Sequence, residues 1–418
     1  MKKFLIGLYI GVAALLLIAG VLLVILVLNY KVDTTSYAVP GVTYTPPQTN
    51  EKENEPEVSV VSDKDQSIDP GVNEKEPDGK EPVNDENDNA ESDSNEIVSE
   101  EPVNEKVKPI DIILIGDTYF NERRQANYDK EGISGVLSDS LIEKTQNADI
   151  AMLDFECAFT ERGEFDPDKE YSYRMKPESA KAFKDMGFDV ASLANNHSLD
   201  FGTIGLTDTF DTLDDLGIEY VGAGDTIERA ERPAVFEVGG RTVAFLAASR
   251  VIPVVEWNVL NRQPGMLCTY DDTALCEAIK KAKSEYDYVI VYAHWGVMET
   301  DVLEKYQVTM AHDYIDCGAD LVFGSHPHVI QGTEVYKGKP VFYSLGNFLY
   351  GSNIARTFML NAVIDEEGVL SAKVLPCYAS NGKTMEMDKE NGEKLFDYLN
   401  TIAVNCYIDD DGFLREAN

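Results

Sequence analysis

The chain has 418 residues, a formal net charge of −38 and a pI near 4.3. Such an acidic chain is not expected to take nucleic acid or anionic lipid as its main partner, because like charges repel. Hydrophobic residues make up 44% of the sequence, which is enough to form a sizeable core in one or two domains. The six scattered Cys form no CxxC pair, which excludes a zinc knuckle and a thioredoxin-like motif. Disulfides and buried free thiols both remain open for them.

Residues 4–28 form an uncharged apolar segment after Lys2 and Lys3. About 20 apolar residues cross a bilayer as a helix, whereas a signal-peptide core has only about 7–15. Residues 1–29 are therefore predicted to be an uncleaved transmembrane anchor, with a cleaved signal peptide as the alternative. The paired Lys predict a single-pass protein of the cell membrane, with a cytoplasmic N-terminus and an extracellular main domain.

Residues 30–108 have a different composition. Between residues 51 and 108 there are 20 Asp and Glu against six Lys, and Pro, Asn, Ser and Gly fill much of the rest. Such a segment buries too little apolar surface to offset the entropy lost on folding, so a disordered acidic linker is predicted. Charge repulsion extends it. We interpret it as a spacer between the membrane and a folded domain at residues 109–418.

Residues 109–418 alternate apolar runs with amphipathic segments. The runs at 111–115, 149–153, 188–194, 288–294 and 320–324 are typical of buried strands, and residues 138–146, 204–216 and 272–286 are predicted helices. Gly239-Gly240, Lys337-Gly338 and residues 366–368 predict hairpins, and residues 391–401 predict a last helix. This order predicts an α/β (α+β) fold, in which a sheet sandwich is flanked by helices.

Polar residues follow the predicted strands at their carboxyl ends, where open α/β sheets place their ligands. At the first of these ends, the glycine of Gly116-Asp117 is expected to let the backbone turn sharply. Three of the five His in the chain stand at the last two strand ends. The full set is Asp117, Glu156, Asn196, His197, His294, His326 and His328.

This mixture of carboxylate, amide and imidazole groups suits divalent Mn, Fe or Zn. The set is large enough for two ions about 4 Å apart, which clamp the attacking and leaving oxygens in phosphoryl transfer. Glu156 is the expected bridge, because its two oxygens can each bind one ion, and His197 is the expected general acid. Taken singly, each residue also has a structural alternative, since Asp after Gly forms turns and Asn caps helices.

Longer stretches resemble the CapA family of capsule-synthesis proteins, also called poly-γ-glutamate synthesis proteins. That family is similar in fold to calcineurin-like metallophosphoesterases, which implies a metallophosphoesterase-like sandwich. The resemblance covers roughly residues 110–352, in the expected order. The stretches are Gly116-Asp117, the Glu156 motif, ANNHSLDFGTIGLTDT (194–209), AHWG (293–296), GADLVFGSHPHVIQ (318–331) and YSLGNF (343–348).

The resemblance implies a role for each of these side chains. The implied metal ligands are Asp117, Glu156, Asn196, His294, His326 and His328. The implied catalytic residues are His197 and Asp117, and the candidate substrate-binding residues are Arg123 (or its neighbour Arg124), Arg174 and Asn195. Phosphoesterases usually carry His where this chain has Tyr119, which implies that one of two ions binds weakly or is missing. The family usually carries Asn where this chain has Asp154.

Two functions are compatible with this pattern. The first is an extracytoplasmic, membrane-anchored component of capsule or poly-γ-glutamate synthesis and export, working with other synthesis subunits. Its metal ions would bridge the acidic domain to an anionic polymer. The second is a metal-dependent phosphoesterase or other hydrolase that acts on a cell-surface substrate.

Overall fold

A computed structural model describes residues 108–165, 169–261 and 264–417. The predicted anchor at residues 1–29 lies outside the described residues, and so does the predicted linker up to residue 107. The boundaries proposed for these segments therefore stay predictions. Within the described ranges, no helix is long and apolar enough to cross a membrane.

The described chain alternates strands and helices. The strands are β1 (Ile110–Thr118), β2 (Ile150–Phe155), β3 (Ala158–Phe159), β4 (Arg174–Met175), β5 (Val190–Ser192), β6 (Glu219–Val221), β7 (Ala223–Gly224), β8 (Ala234–Val238), β9 (Arg241–Ser249), β10 (Gly265–Met266), β11 (Tyr288–His294), β12 (Leu321–Ser325), β13 (Thr333–Tyr336), β14 (Lys339–Phe342), β15 (Asn347–Leu349), β16 (Ile354–Ile364), β17 (Leu370–Ser380), β18 (Lys383–Glu386), β19 (Cys406–Ile408) and β20 (Leu414–Glu416). The helices are α1 (Glu122–Glu131), α2 (Asp139–Asn147), α3 (Lys181–Asp185), α4 (Gly202–Leu216), α5 (Ile227–Glu231), α6 (Thr273–Glu285), α7 (Lys305–Cys317) and α8 (Lys389–Ile402).

Two mixed sheets form the centre of the domain. The larger has eight strands in the order β18-β17-β16-β1-β2-β5-β6, and β15 also pairs with β1. Strands β1, β2, β5 and β6 run parallel, whereas β16, β17 and β18 are antiparallel. The smaller sheet has six strands in the order β13-β14-β12-β11-β9-β8, and its four central strands are parallel.

The side chains of β1 show how the layers are built. Successive residues of a strand point to opposite faces. Ile112 joins a core that contains Phe245 of the smaller sheet, whereas Ile113 joins a core that contains Leu141 of α2. A third core joins β9 and β11 to α6 and α7. The predicted sheet sandwich flanked by helices is therefore confirmed, and burial on both faces explains why residues 112–115 are continuously apolar.

Most predicted elements are present. The hairpins at Gly239-Gly240 and Lys337-Gly338 are confirmed as β8–β9 and β13–β14, and residues 366–368 link β16 to β17. Helix α1 was not predicted, because its sequence ERRQANYDKE has no apolar periodicity and its only buried residue is Arg124. All six Cys are free and four of them are buried, as the free-thiol alternative predicts.

The expectation of a sharp turn at Gly116 is wrong, because β1 continues to Thr118. A Cβ atom on Gly116 would lie 1.9 Å from the carbonyl oxygen of Gly346. The backbone N–H of Asp117 donates to the same carbonyl at 3.1 Å. Glycine is therefore needed for the close approach of two backbones. This approach places Asn347 opposite Asp117 in the β1–β15 pairing.

Candidate metal centre

The six predicted metal ligands come together at the carboxyl ends of β1, β2, β5, β11 and β12. Asp117 Oδ2 lies 3.1 Å from His328 Nδ1, and Glu156 Oε2 lies 3.8 Å from His328 Nε2. On the other side, His294 Nε2 lies 3.4 Å from Glu156 Oε1. Segments more than 200 residues apart in sequence thus meet in one buried pocket.

Asp117 and His328 form an ion pair at one side of this pocket. Burial opposes the charge on Asp117, but His328, helped by His294 and Ser325, outweighs burial and lowers the pKa of Asp117 to about 2. Burial also disfavours the charged form of His328, yet the Asp117 carboxylate raises the pKa of His328 above its usual value. Asn347 Oδ1 lies 2.9 Å from His328 Nδ1, and the backbone N–H of His326 donates to Asp117 Oδ1 at 3.2 Å. Asn347, which the sequence did not single out, thus helps to orient His328.

On the other side of the pocket, a ring nitrogen of His294 faces an amide oxygen and a carboxylate oxygen. His294 Nδ1 lies 3.0 Å from the hydroxyl of Tyr292, and a proton on Nδ1 leaves the Nε2 lone pair free. Nε2 is 2.7 Å from Asn196 Oδ1 and 3.4 Å from Glu156 Oε1. Ligand atoms on metal bonds of about 2.1 Å at right angles stand about 3 Å apart. The two observed separations lie on either side of this value, so a cation would fit among the three atoms.

Several buried atoms of the pocket have no hydrogen-bond partner among the described residues. They are Asp154 Oδ2, both carboxylate oxygens of Glu156 and His326 Nδ1. Unpaired buried polar atoms of this kind are costly, and an ion bound among them would satisfy them. The backbones of His326 and His328 have φ angles of 101° and 60°, which non-glycine residues rarely adopt and which cluster at functional sites.

Apart from the Asp117–His328 ion pair, the electrostatics of the pocket favour neutral groups until a cation binds. Burial, followed by the charge of Asp117, raises the pKa of Asp154 to about 8 and the pKa of Glu156 well above its usual value. Burial lowers the pKa of His294 to about 3 and the pKa of His326 well below its usual value. Deprotonated imidazoles are ready to bind a metal, and a divalent ion would stabilise the carboxylates in their charged form.

The donor set fits a divalent ion. Ligand atoms of Glu156, His294 and His326 lie within 4.8 Å of one another, and so do those of Asp117, Asp154, Glu156 and His294. Glu156 belongs to both groups, which is the place expected for a bridging carboxylate. Oxygen and imidazole nitrogen together suit Mn, Fe or Zn.

His197 lies beside the pocket with a carboxylate and an amine. Its Nδ1 is 2.8 Å from Asp200 Oδ2 and 3.2 Å from Lys169 Nζ, and Lys169 also pairs with Asp200. The His197 side chain is almost fully buried, and burial lowers its pKa. Asp200 stands three residues after His197, a spacing visible in the sequence. No pattern pointed to Lys169, which comes from a separate loop.

The three candidate substrate-binding residues differ from the predicted metal ligands in their surroundings. Asn195 is buried, its Nδ2 donates to Asp154 Oδ1 at 3.0 Å, and its Oδ1 accepts the backbone N–H of His197 at 3.0 Å. It therefore positions its neighbours. Arg123 and Arg174 are exposed, and Arg174 covers the ring of Phe201 at 4.4 Å. Among the described residues, no hydrogen bond or ion pair joins either guanidinium to the pocket, so a role in binding substrate stays a prediction for both.

Tyr119, at the position where phosphoesterases usually carry His, lies in an aromatic cluster. Its ring is 4.6 Å from Tyr173, which is 5.9 Å from Tyr350. Tyr350 in turn stacks on His328 at 4.7 Å, and Tyr173 contacts His197 at 4.5 Å. The cluster therefore forms a wall beside the pocket and supplies no imidazole to it.

Residues 111–352 match the model of a family described as bacterial capsule synthesis protein PGA_cap. This chain belongs to that family. The resemblance seen in the sequence is thereby confirmed, and every residue of the pocket lies inside the match. Strands β16–β20 and helix α8 lie beyond it.

Similar relatives of this PGA_cap chain include two proteins named CapA. The capsule biosynthesis protein CapA of Bacillus anthracis is 37% identical over 194 residues, which are 46% of this chain and 47% of that protein. The PGA biosynthesis protein CapA of Bacillus subtilis is 36% identical over 191 residues, or 46% and 50% of the two chains. A probable polyglutamine synthesis accessory protein of Mycobacterium tuberculosis is 35% identical over 217 residues, or 50% and 57%. The chain spans about half the length of these relatives.

Similarity to solved structures is low. A protein of Thermus thermophilus aligns with 63% of this chain and 98% of its own, at 12% identity and a TM-score of 0.36. The sulfate thiohydrolase SoxB of the same organism aligns with 64% of this chain and 56% of its own, at 13% identity and a TM-score of 0.35. Likeness at this level carries no argument, so the metallophosphoesterase-like fold stays a prediction.

Proposed function

We propose that this protein is an accessory component of capsule or poly-γ-glutamate synthesis and export, and that it works through divalent metal ions held in the pocket. One observation carries the metal part of the proposal. Both oxygens of the buried Glu156 carboxylate have no hydrogen-bond partner among the described residues, and Oε1 lies 3.4 Å from His294 Nε2, which is 2.7 Å from Asn196 Oδ1. The names of the relatives suggest the process in which the ions act.

Bound ions would attract and polarise anionic groups of a substrate, which the acidic domain alone would repel. The residues that would hold them are Asp117, Glu156, Asn196, His294, His326 and His328. Glu156 can span two ions, while the Asp117 carboxylate keeps its charge even at low pH because its pKa is about 2. The ions would thus make an acidic protein compatible with an acidic polymer.

A second candidate function is a metal-dependent phosphoesterase or other hydrolase that acts on a cell-surface substrate. The observation that favours it is the hydrogen bond between His197 and Asp200. A carboxylate at Nδ1 fixes the tautomer of an imidazole and leaves Nε2 to exchange a proton with a substrate. This is the arrangement of a general acid beside a metal site.

We further propose that the domain acts outside the cell membrane, attached through the predicted helix at residues 1–29. Lys2 and Lys3 on one side and the acidic segment on the other support this orientation. Protease added to intact protoplasts should remove the domain if it is extracellular. Protection of the domain until the cells are lysed would contradict the orientation.

Metal content and turnover separate the two functions. The full-length chain is purified in detergent, loaded with Mn²⁺ and assayed on bis-p-nitrophenyl phosphate, as wild type and as His197→Ala. Turnover that is lost in His197→Ala with metal retained supports the hydrolase. Metal without turnover in either protein, together with loss of polymer in bacteria that carry Glu156→Gln, supports the accessory role. If polymer is unchanged in bacteria that carry folded Glu156→Gln, the proposed role of the metal in synthesis is wrong.

A further inference from the structure

Three buried carboxylates share one face of the larger sheet. Asp117 and Asp154 are opposite each other in the β1–β2 pairing, and residues in register on neighbouring strands point to the same face. Glu156 lies just past the end of β2, and its carboxylate lies within 4.8 Å of the other two. All three side chains are fully buried.

Asp154 stands out in this group because only one of its oxygens is used by the fold. Oδ1 accepts the side-chain N–H of Asn195 at 3.0 Å, which fixes the carboxylate. Oδ2 has no hydrogen-bond partner among the described residues, and His294 Nδ1 lies 3.5 Å from it. Ligand atoms of Asp154, Asp117, Glu156 and His294 lie within 4.8 Å of one another.

We propose that Asp154 is a direct metal ligand through Oδ2, and that it makes one of two ion positions rich in oxygen. This inference rests on the proposed metal centre. Asp117, Asp154 and Glu156 would supply three carboxylates to one ion beside His294, whereas the other ion would lie among Glu156, His294 and His326. Hard ions such as Mn²⁺ prefer oxygen, and imidazole suits Zn²⁺, so the two positions have unequal preferences.

Asp154→Asn tests this ligand with little change of shape. The amide oxygen can still accept the hydrogen bond of Asn195, so the substitution removes only the charge and one ligand oxygen. Asp149→Asn is the matched control, because Asp149 stands at the opposite end of β2, exposed, and accepts the backbone N–H of Asp111. Glu156→Gln removes the shared ligand and shows the result of losing both positions.

The full-length protein in detergent is loaded with Mn²⁺, freed of excess metal and measured for bound manganese and for the EPR signal of a spin-coupled pair. We expect two ions and a coupled signal in the wild type and in Asp149→Asn, and one uncoupled ion in Asp154→Asn. Substitution of a residue that only hydrogen-bonds to a metal ligand typically lowers metal affinity by about 10–100-fold. If Asp154→Asn keeps both ions, even at an affinity reduced to that extent, Asp154 only orients His294 and the inference is wrong.

The outcome also separates this inference from the proposed function. A folded wild type that binds no manganese overturns both, whereas a single ion in the wild type, or two ions in Asp154→Asn, overturns only the inference. A crystal structure of the Mn²⁺-loaded wild type makes the same test without a substitution. Asp154 Oδ2 within about 2.6 Å of an ion supports the assignment, and a separation beyond about 3.5 Å contradicts it.

Discussion

The buried carboxylates should make the metal-free protein lose stability as the pH rises from about 6.5 to about 8. An acid with a raised pKa in the folded state binds more protons when folded than when unfolded between its two pKa values, so stability falls across that interval. The pKa of Asp154 is raised from 3.8 to about 8 by burial and by Asp117. His294, with a pKa lowered from 6.5 to about 3 by burial, has the opposite effect, but only below pH 6.5. The window from 6.5 to 8 therefore excludes His294, while His328, whose pKa the Asp117 carboxylate raises above its usual value of 6.5, adds a loss of stability of the same sign.

The magnitude follows from the width of this window. Each pH unit contributes about 1.4 kcal/mol per group, so Asp154 alone should lower the free energy of unfolding by about 2 kcal/mol across the window. Glu156, with its raised pKa, adds to this loss. Urea unfolding in EDTA at the two pH values measures the total change in the free energy of unfolding for the wild type. In Asp154→Asn this change should be smaller by about 2 kcal/mol.

Two controls make the result decisive. Asp149→Asn should keep the wild-type difference, because Asp149 is exposed. Saturating Mn²⁺ should reduce or reverse the difference, because metal binding releases protons from its ligands and strengthens as the pH rises. A metal-free wild type that is equally stable at both pH values, or more stable at the higher one, would refute the electrostatic description of the pocket.

Three further predictions concern single side chains. His197→Ala should lower phosphodiester turnover by about 10²–10⁴-fold with unchanged metal content if His197 is a general acid; equal loss of metal would show a structural role instead. Arg124→Ala should lower the free energy of unfolding by about 3 kcal/mol or more in urea titrations, since the buried guanidinium donates to several backbone carbonyls. Its exposed neighbour provides the control, because Arg123→Ala should change the free energy of unfolding by less than about 0.5 kcal/mol. Equal effects of the two substitutions would contradict a stabilising role that is specific to the buried Arg124. Gly116→Ala should push the backbone of Gly346 away from β1 and weaken metal binding, as measured by calorimetry. Gly392→Ala should leave metal binding unchanged, because a Cβ atom there meets nothing closer than 3.3 Å.

Strands and strand ends could be predicted from the sequence because both depend on local patterns. Continuous apolar runs identified the buried strands, and polar residues directly after them identified Asp117, His294 and His326. The parallel arrangement then places such residues at one edge of a sheet. The meeting of the two sheets across the pocket was implied by the family resemblance and is described only by the structure.

The residues that were missed depend on contacts between distant segments. Asp154 follows the predicted strand and stood out only because it replaces the Asn of the family, and its register with Asp117 reveals a third buried carboxylate. Lys169 reaches Asp200 from a loop 31 residues away. Arg123 and Arg124 are adjacent in sequence, and only the packing of α1 decides that Arg124 is the buried one. Burial and long-range pairing have no local signature in these cases.

The metal content of the purified full-length protein tests the central claim most directly. The protein is taken from its native host without added metal, stripped of loosely bound ions by gel filtration and measured by mass spectrometry of the elements. The pocket predicts one or two divalent ions of Mn, Fe or Zn per wild-type chain, and a folded Glu156→Gln chain with fewer. A folded wild type that retains no such ion, and gains none when Mn²⁺, Fe²⁺ or Zn²⁺ is supplied, would contradict a metal centre in this pocket.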